Sequence, residues 1–496
     1  MISIIITGNH FLKKIKPLKP KIITCNEHNI SQADISKNAL KVLARLEEYG
    51  FEAYLVGGGV RDLLLGLHPK DFDIATNARP EQVKKIFRNC RIIGKRFRLA
   101  HVFSGPEIIE VATFRGNSTG DVSQRAQSTT GMITRDNVYG TLEEDVWRRD
   151  FTINALYYKL DGSIIDYAGG MDDMHDRVVR IIGSPKLRCH EDPLRMLRAV
   201  RIAAKVGFRV DHETAECLST FVGLLQNVAP ARLFDEVVKW FKGGKSLVTF
   251  EMCRNYGLFA ALFPQTEARL VGENSALAKA FVWQGFHNTD KRIAENKSLN
   301  PAFLFAILLW PPFQHKITEL QKNGMKFGGA FQLAMSDVLR RQKKHLAITQ
   351  RFVLTIEEIW LLQYRLIERK QSKITHIFNH KKFRAAYDFL ELRSLAHDDV
   401  QEHVAWWKNY QANHIQDESY IDSINEQLSS RPRKKIVRPA KKGVKSNFAS
   451  INTVPGEVVE FDESGIVYER ADMHSRSRNN EGSIIELLSK LKSNMQ

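Results

Sequence analysis

Two aspartates, Asp71 and Asp73, flank Phe72 in the stretch KDFDIA, within a chain whose formal net charge is +17. Residues i and i+2 of a strand project to the same side. A strand over this stretch would therefore aim both carboxylates into one site and turn Phe72 to the core. Like charges this close are costly unless a cation lies between them. A third carboxylate, Glu110, interrupts the apolar run EIIEVATF, with Ile108 and Ala112 at the same parity. Read as a buried strand, that run leaves the Glu110 charge in need of a partner. Three carboxylates on neighbouring strands suit a phosphoryl transfer in which two divalent ions, about 3.5–4 Å apart, hold the attacking and leaving oxygens. Mg²⁺ fits such a site because it favours a few carboxylates completed by water and substrate phosphates.

Upstream, Gly57, Gly58 and Gly59 stand between the apolar run AYLV and the helix-like VRDLLL. Bare backbone at a strand-to-helix junction lets amides approach a phosphate, and Arg61 stands where it could add a cationic fork. The stretch is neither a P-loop, since no GK[ST] follows, nor the dinucleotide fingerprint, since Asp62 replaces the third glycine. A second constellation is HEDPLR, residues 190–195. Asp192 reads as a helix N-cap and Pro193 as the first helical position, which places Asp192 and Arg195 on one face. A carboxylate accepts from an exocyclic amine and a guanidinium donates to a ring nitrogen. The pair therefore fits adenine (N6 and N1) or cytosine (N4 and N3), rejects uracil and guanine, and does not separate ATP from CTP.

The elements that position these groups read as an α/β head followed by a long helical body. Helical spacing over Ala39, Leu40, Leu43 and Leu46 stops at Gly50. AYLVG, CRIIG, HVF and EIIEVATF read as strands, and RPEQVKKIF as a helix with Pro80 at its start. Residues 117–140 are polar and read as a mobile loop, and from about residue 190 helical periodicity prevails. The run PAFLFAILLW, residues 301–310, is too short to span a bilayer; stopped by Pro311 and Pro312, it reads as a buried helix. The fold class is α+β, divided as a basic extension (1–35), a mixed-sheet catalytic head (36–170), a helical neck (171–260), a helical body (261–430) and a basic flexible tail (431–496).

The chain has 496 residues, 43% apolar and 26% charged, which suits a multidomain globular protein. Its excess of 73 Lys and Arg over 56 Asp and Glu implies an acidic partner such as nucleic acid. Five scattered cysteines, with no CxxC, exclude a disulfide framework and a zinc knuckle and fit the cytoplasm. The opening MISIIITGNHFLKKIKPLKPK puts its apolar residues before its lysines, the reverse of a secretory signal, and no membrane span is expected. His397-Asp398 lacks further histidines at ligand spacing and reads as a surface pair, and Trp406-Trp407 as helix packing. The basic run RPRKKIVRPAKKGVK is a solvated charge run able to bind phosphate.

GGGVRDLLLG, KDFD, EVATFRG, RRDFTINAL and EDPLRMLRAVRIAAKVGF occur in this order. In that order they resemble the motifs of the class II nucleotidyltransferases, the family of the CCA-adding tRNA enzymes and the bacterial poly(A) polymerases. The likeness covers about residues 36–240 closely and continues more weakly through PAFLFAILLW and KKFRAAYDFLELR. It implies a polymerase-palm-like head, Mg²⁺, and a nucleoside triphosphate added to an RNA 3′ end. It implies Asp71 and Asp73 as metal ligands, Gly58 and Arg61 as triphosphate contacts, and Arg149, Asp150 and Asn154 as contacts to the nucleotide's phosphate and sugar. Asp150 would belong to the active site, Asp192 and Arg195 would choose the base, and Arg198 would touch the nucleotide. CRIIGKRFRLAHVFSG, residues 90–105, resembles the segment that marks the poly(A)-synthesising members, through Gly94, Lys95, Arg96, Phe97, Leu99 and His101. The resemblance therefore implies AMP addition from ATP with release of pyrophosphate. CCA addition to tRNA is the rival, and non-catalytic RNA binding the rival of another class.

Overall fold

The computed structural model describes residues 19–94, 98–116, 125–127, 133–136, 138–272, 275–396 and 398–414. The chain divides into two compact units, one of residues 1–313 and 337–397, the other of residues 314–336 and 398–496. In the first unit the strands are β1 (Lys21–Ile23), β2 (Ala53–Val56), β3 (Asp73–Thr76), β4 (Cys90–Ile93), β5 (Leu99–Ser104), β6 (Glu107–Thr113), β7 (Arg125–Gln127), β8 (Ile133–Asp136), β9 (Leu156–Tyr158), β10 (Ile164–Asp166), β11 (Val178–Val179) and β12 (Arg209–Val210). Eight of them form one mixed sheet in the order β1-β10-β9-β2-β3-β6-β5-β4, in which only the β3–β6 pair is parallel. β7 pairs with β8 and β11 with β12 as separate two-stranded pieces.

Three short helices follow from their end signals. α1 (Lys37–Glu48) is capped by Ser36, whose side chain accepts from the Asn38 and Ala39 amides, and it buries Ala39, Val42, Leu43 and Leu46. Gly50 adopts φ +79° just beyond it, as the stop signal requires. α2 (Gly58–Leu64) leaves the glycine turn directly, and α3 (Pro80–Ile86) starts on its proline. α1 and α3 pack on one face of the sheet. α4 (Leu142–Arg148) opens with a capping box between Thr141 and Glu144. α5 (Gly170–His175) packs on the 3₁₀ turn Thr152–Asn154, and Asp166 accepts from the amides of Gly170 and Met171 at its start.

Helices then take over: α6 (Pro185–Glu191), α7 (Leu194–Val206), α8 (His212–Thr220), α9 (Pro230–Phe241), α10 (Ser246–Asn255), α11 (Leu258–Leu262), α12 (Pro264–Leu270) and α13 (Ala276–Ala294). α14 (Pro301–Lys322), α15 (Phe327–Lys343), α16 (Gln350–Glu368), α17 (Ile374–Phe378), α18 (Phe383–Ala396) and α19 (Gln401–His414) complete the described chain. The helical core of the first unit is aromatic: Trp240 stacks on Phe286 at 5.5 Å and Phe313 on Trp360 at 4.3 Å. In the second unit Trp407 of α19 is buried and Trp406 stacks on Tyr410, as expected of that pair.

Several expectations change. Residues 19–35 are not an irregular extension: Lys21–Ile23 is the edge strand β1, and His28 Nε2 and Gln32 Nε2 reach the carbonyls of Gly162 and Leu160. A three-residue strand that begins on a lysine carries no periodicity to read. Pro311 and Pro312 do not stop α14, which runs through both; the apolar burial of Ala302–Phe313 outweighs the backbone bonds they remove. Part of the expected loop 117–140 is the β7–β8 pair. Lys95, Arg96, Phe97, His397 and the basic run from 431 lie outside the described residues.

Gly170 tests the seat of the 3₁₀ turn. A Cβ there would overlap the Thr152 carbonyl oxygen and lie 3.0 Å from Leu156 Cδ2. Gly170→Ala is expected to cost about 1–3 kcal/mol in urea unfolding, and an unchanged unfolding midpoint would contradict the tight seat of the turn.

Candidate active site

Main-chain pairing brings the carboxylates together. Asp73 opens β3, opposite Val56 of β2 on one side and Glu110 of β6 on the other. Asp71 precedes the strand and lies in the loop; strand geometry therefore begins two residues later than expected, although Phe72 is buried and both aspartates are exposed as the alternation predicts. Glu110 also differs from expectation. Its parity, shared with Ile108 at 43% exposure, is the open face of the sheet, while Ile109, Val111 and Thr113 are buried. Its partner is His101, its neighbour on β5, with Nε2 3.2 Å from Glu110 Oε1.

Asp73 feels this crowding. Surrounding protein first, then the Glu110 charge, pushes its carboxyl up to about 6; Arg149 opposes the shift and Asp71 adds to it. Among the described residues, no three His, Cys, Asp or Glu side chains form a cage that could hold a metal by protein atoms alone. The donor set still fits Mg²⁺: its atoms are hard carboxylate oxygens, they crowd a charge that a cation would relieve, and they leave coordination positions for phosphate and water.

Gly57 makes the approach to Asp73 possible. Its φ of +81° and ψ of −146° are open essentially to glycine alone. A Cβ there would lie 3.5 Å from Asp73 Oδ2 and 4.0 Å from Arg149 Nη1. The turn thus keeps an opening between a carboxylate and a guanidinium. Gly58 is the first residue of α2, against the Arg61 guanidinium.

Arg149 is fixed from behind. Its Nε and Nη2 donate to Asp145 Oδ2 at 3.1 and 3.0 Å, and its Nε to Tyr157 Oη at 2.6 Å. Tyr157 Oη in turn donates to Asp145 Oδ2, and the Arg115 amide donates to Asp145 Oδ1. Burial raises the Asp145 carboxyl, but Arg149, Tyr157 and the Arg115 amide outweigh it and hold it below the usual range. Sequence reasoning missed Asp145 and Tyr157. The available signal was the spacing, Asp145 four residues before Arg149, which a helix would bring onto one face.

The remaining predicted residues form a second, buried network. Asp150 accepts from the Phe151 amide and from Asn154 Nδ2, and its Oδ2 ion-pairs with Arg198 of α7. Burial raises the Asp150 carboxyl, yet Arg198, Arg195 and these hydrogen bonds leave it lowered. Arg61 is not presented as an open fork. It is 4% exposed, with Nη1 donating to Asn154 Oδ1 at 2.8 Å and with Nε and Nη2 on Asp62 Oδ1. Asp62 Oδ2 accepts from Lys205 of α7 at 2.7 Å. Asp62, which spoils the dinucleotide fingerprint, is thus the link from the glycine turn to α7.

Asp192 does not cap α7. Pro193 holds the N-cap position, and the Asp192 carboxylate accepts from Arg232 Nη2 of α9 at 3.0 and 3.1 Å. A proline N-cap has no side-chain acceptor, and Asp192 stands one residue too early to supply one. Arg195 is 9% exposed and donates from Nη1 to the Arg188 carbonyl at 2.7 Å; burial, then Arg188, pulls its guanidinium down to about 10. Arg188, also missed, donates from Nη2 to the carbonyls of Arg148 and Arg149 and so ties α6 to the end of α4.

Three family models match the chain: the poly A polymerase head domain over residues 53–180, the probable RNA and SrmB-binding site of polymerase A over 207–270, and the polymerase A arginine-rich C-terminus over 323–442. The poly(A) polymerase I of Escherichia coli O157:H7 is 47% identical over 429 residues, 85% of this chain and 92% of that one. The Haemophilus influenzae poly(A) polymerase I is 42% identical over 428 residues, 85% of this chain and 94% of that one. A Lactobacillus helveticus CCA-adding enzyme matches at 39% over only 44% of this chain and 53% of its own length. Among solved structures, a Thermotoga maritima CCA-adding enzyme complexed with tRNA shares the fold at TM-score 0.52 and 20% identity, over 79% of this chain and 85% of that one.

Two substitutions test the site. Gly57→Ala adds a methyl group between Asp73 and Arg149 in a backbone state that costs about 1–3 kcal/mol; nucleotide incorporation is expected to fall at least tenfold, with the melting temperature lowered only modestly. Asp145→Ala leaves Arg149 without its buried counter-charge and is expected to cost about 3–5 kcal/mol in denaturant unfolding; an unchanged unfolding midpoint would contradict the assignment.

Proposed function

The chain belongs to the bacterial poly(A) polymerase I family, and from that membership we propose how its residues extend RNA. It is a nucleotidyltransferase, a polynucleotide adenylyltransferase that works without a template. It adds AMP from ATP to the 3′ end of RNA and releases pyrophosphate. The observation that carries the site assignment is Asp73, set opposite Glu110 and across the Gly57 opening from Arg149.

Asp71 and Asp73 are proposed to hold Mg²⁺, with Glu110 completing the acidic cluster. When bound, Mg²⁺ lowers the pKa of the 3′ hydroxyl and neutralises triphosphate charge. The chain's own residues supply position and counter-charge, the main needs of phosphoryl transfer. Gly57 and Gly58 offer a bare backbone wall to the triphosphate. Arg149, locked by Asp145 and Tyr157, keeps a fixed positive charge beside Asp73. Asp150, Asn154 and Arg198 are assigned to the nucleotide's phosphate and sugar. Arg61 is assigned an indirect part, since its donors hold Asn154 and Asp62.

Asp192 and Arg195 are assigned to the base. Arg232 fixes the Asp192 carboxylate and the Arg188 carbonyl fixes Arg195, so acceptor and donor are set before the base arrives. That pattern suits adenine, and likeness to poly(A) polymerases over most of the chain favours ATP over CTP. We assign residues 36–170 with β1 to a catalytic head, 171–260 to a neck and 261–430 to an RNA-binding body. No helix among the described residues is long and apolar enough to cross a membrane. The five free cysteines support a reducing compartment, for which we propose the cytoplasm.

With a generic RNA, ATP and Mg²⁺, a ladder of added A is expected. A tRNA lacking its CCA end, given CTP and ATP, should receive A without an ordered CCA. Asp73→Asn should slow extension more than about 100-fold, on the scale of losing a principal charge-stabilising group. Ordered addition of C, C and A would overturn the assignment of product, and full activity in Asp73→Asn would overturn that of the site.

A further inference from the structure

Away from the carboxylates, α1, the end of α3 with residues 87–89, and the end of β5 line an open cleft of about 840 Å³. Its floor includes Val42, Ile86 and Val102, all buried. Val102 has the parity opposite to His101, which faces Glu110. The cleft therefore opens on the helix-covered side of the sheet, beside the edge strand β4.

Its rim carries Lys41, Arg45, Lys85 and Arg88 against one carboxylate, Glu48. All four cations are exposed, and none makes a salt bridge among the described residues. Two other exposed cations of this sheet do pair with acids, Lys21 with Asp172 and Arg98 with Glu81, whereas Arg91 of β4 lies over the Phe103 ring. Here aromatic rings hold the guanidinium instead. Arg45 lies 5.9 Å from the Tyr49 ring centre and 5.8 Å from that of Phe87, and Tyr49 is 56% exposed. A ring face orients a guanidinium without neutralising it, so its N–H groups stay available to a phosphate.

We propose that this cleft is a second binding site for single-stranded RNA, one that grips the backbone of the substrate upstream of the end being extended. The proposal rests on the RNA 3′-end reading above. A growing poly(A) strand offers only repeating phosphates and identical base faces, and a cationic cleft with the exposed Tyr49 ring beside the half-buried Phe87 matches both. An acidic peptide would meet the same charges but has no regular use for the ring faces. Because the cleft lies across the sheet from Asp73, only an RNA long enough to pass the β4 edge reaches both.

The test uses the full chain carrying Lys41→Ala, Arg45→Ala, Lys85→Ala and Arg88→Ala together, with circular dichroism as the check on folding. The RNAs are an oligo(A) of about 30 nucleotides, longer than a binding site of about 4–16, and a primer of about 5. Expected are an unchanged kcat and KM on the short primer and roughly tenfold weaker binding of the long RNA. The slope of log K against log salt should also be shallower by about 3, near 0.7 for each lost phosphate contact. Glu48→Lys, which keeps every cation, should tighten long-RNA binding and steepen that slope. Unchanged affinity and slope in both variants would overturn the second site while leaving the polymerase assignment intact. Loss of short-primer extension in the quadruple variant would instead make these residues part of the catalytic unit and would also overturn it.

Discussion

The parallel pairing of β3 and β6 fixes Asp73 opposite Glu110, and neither can withdraw without breaking the ladder that holds the sheet together. Two acidic side chains are thus kept as neighbours by main-chain hydrogen bonds, with Asp71 adding its charge from the loop. Among the described residues, the charge set against Asp73 is a fixed guanidinium, Arg149. Rigid placement matters because a mobile cation would collapse onto the carboxylates and close the opening that Gly57 maintains. Asp145, Tyr157 and the Arg115 amide prevent that collapse. Together they hold one positive charge beside a negative one.

A second chain of buried polar contacts runs from Lys205 through Asp62, Arg61, Asn154 and Asp150 to Arg198. It begins and ends on α7, the helix that also carries Arg195. Buried charges of this kind are stable only when every member is paired, and removing one leaves another exposed to a low-dielectric interior. The network therefore makes the glycine turn and α7 one mechanical piece. Under the proposed assignment, amides offered to the triphosphate and donors offered to the base keep their spacing as RNA lengthens, which suits a polymerase that has no template to set geometry.

Local pattern carried part of this structure in the sequence. The exposed–buried–exposed alternation of Asp71, Phe72 and Asp73 was readable, and so were the α1 stripe, the Gly50 stop and the α/β-then-helical order. Position along the strand was less so: β3 starts at Asp73, and the open face of β6 is the Glu110 face. Apolar composition cannot show which side of a short strand the helices will cover. Partners distant in sequence were invisible. Asp192 read as a cap because its neighbour is proline, whereas its charge is taken by Arg232, forty residues away. Arg61 read as an open fork because Asn154, ninety-three residues away, was not known to stand against it.

The most direct test of the central claim is a count of divalent cations at the acidic cluster. Water-proton relaxation with Mn²⁺, in the presence of a non-hydrolysable ATP analogue, measures tight cation binding without requiring turnover. Tight binding in the wild type and its loss in Asp73→Asn, with the fold unchanged by circular dichroism, is the predicted result. Equal Mn²⁺ binding by the two proteins would contradict the account.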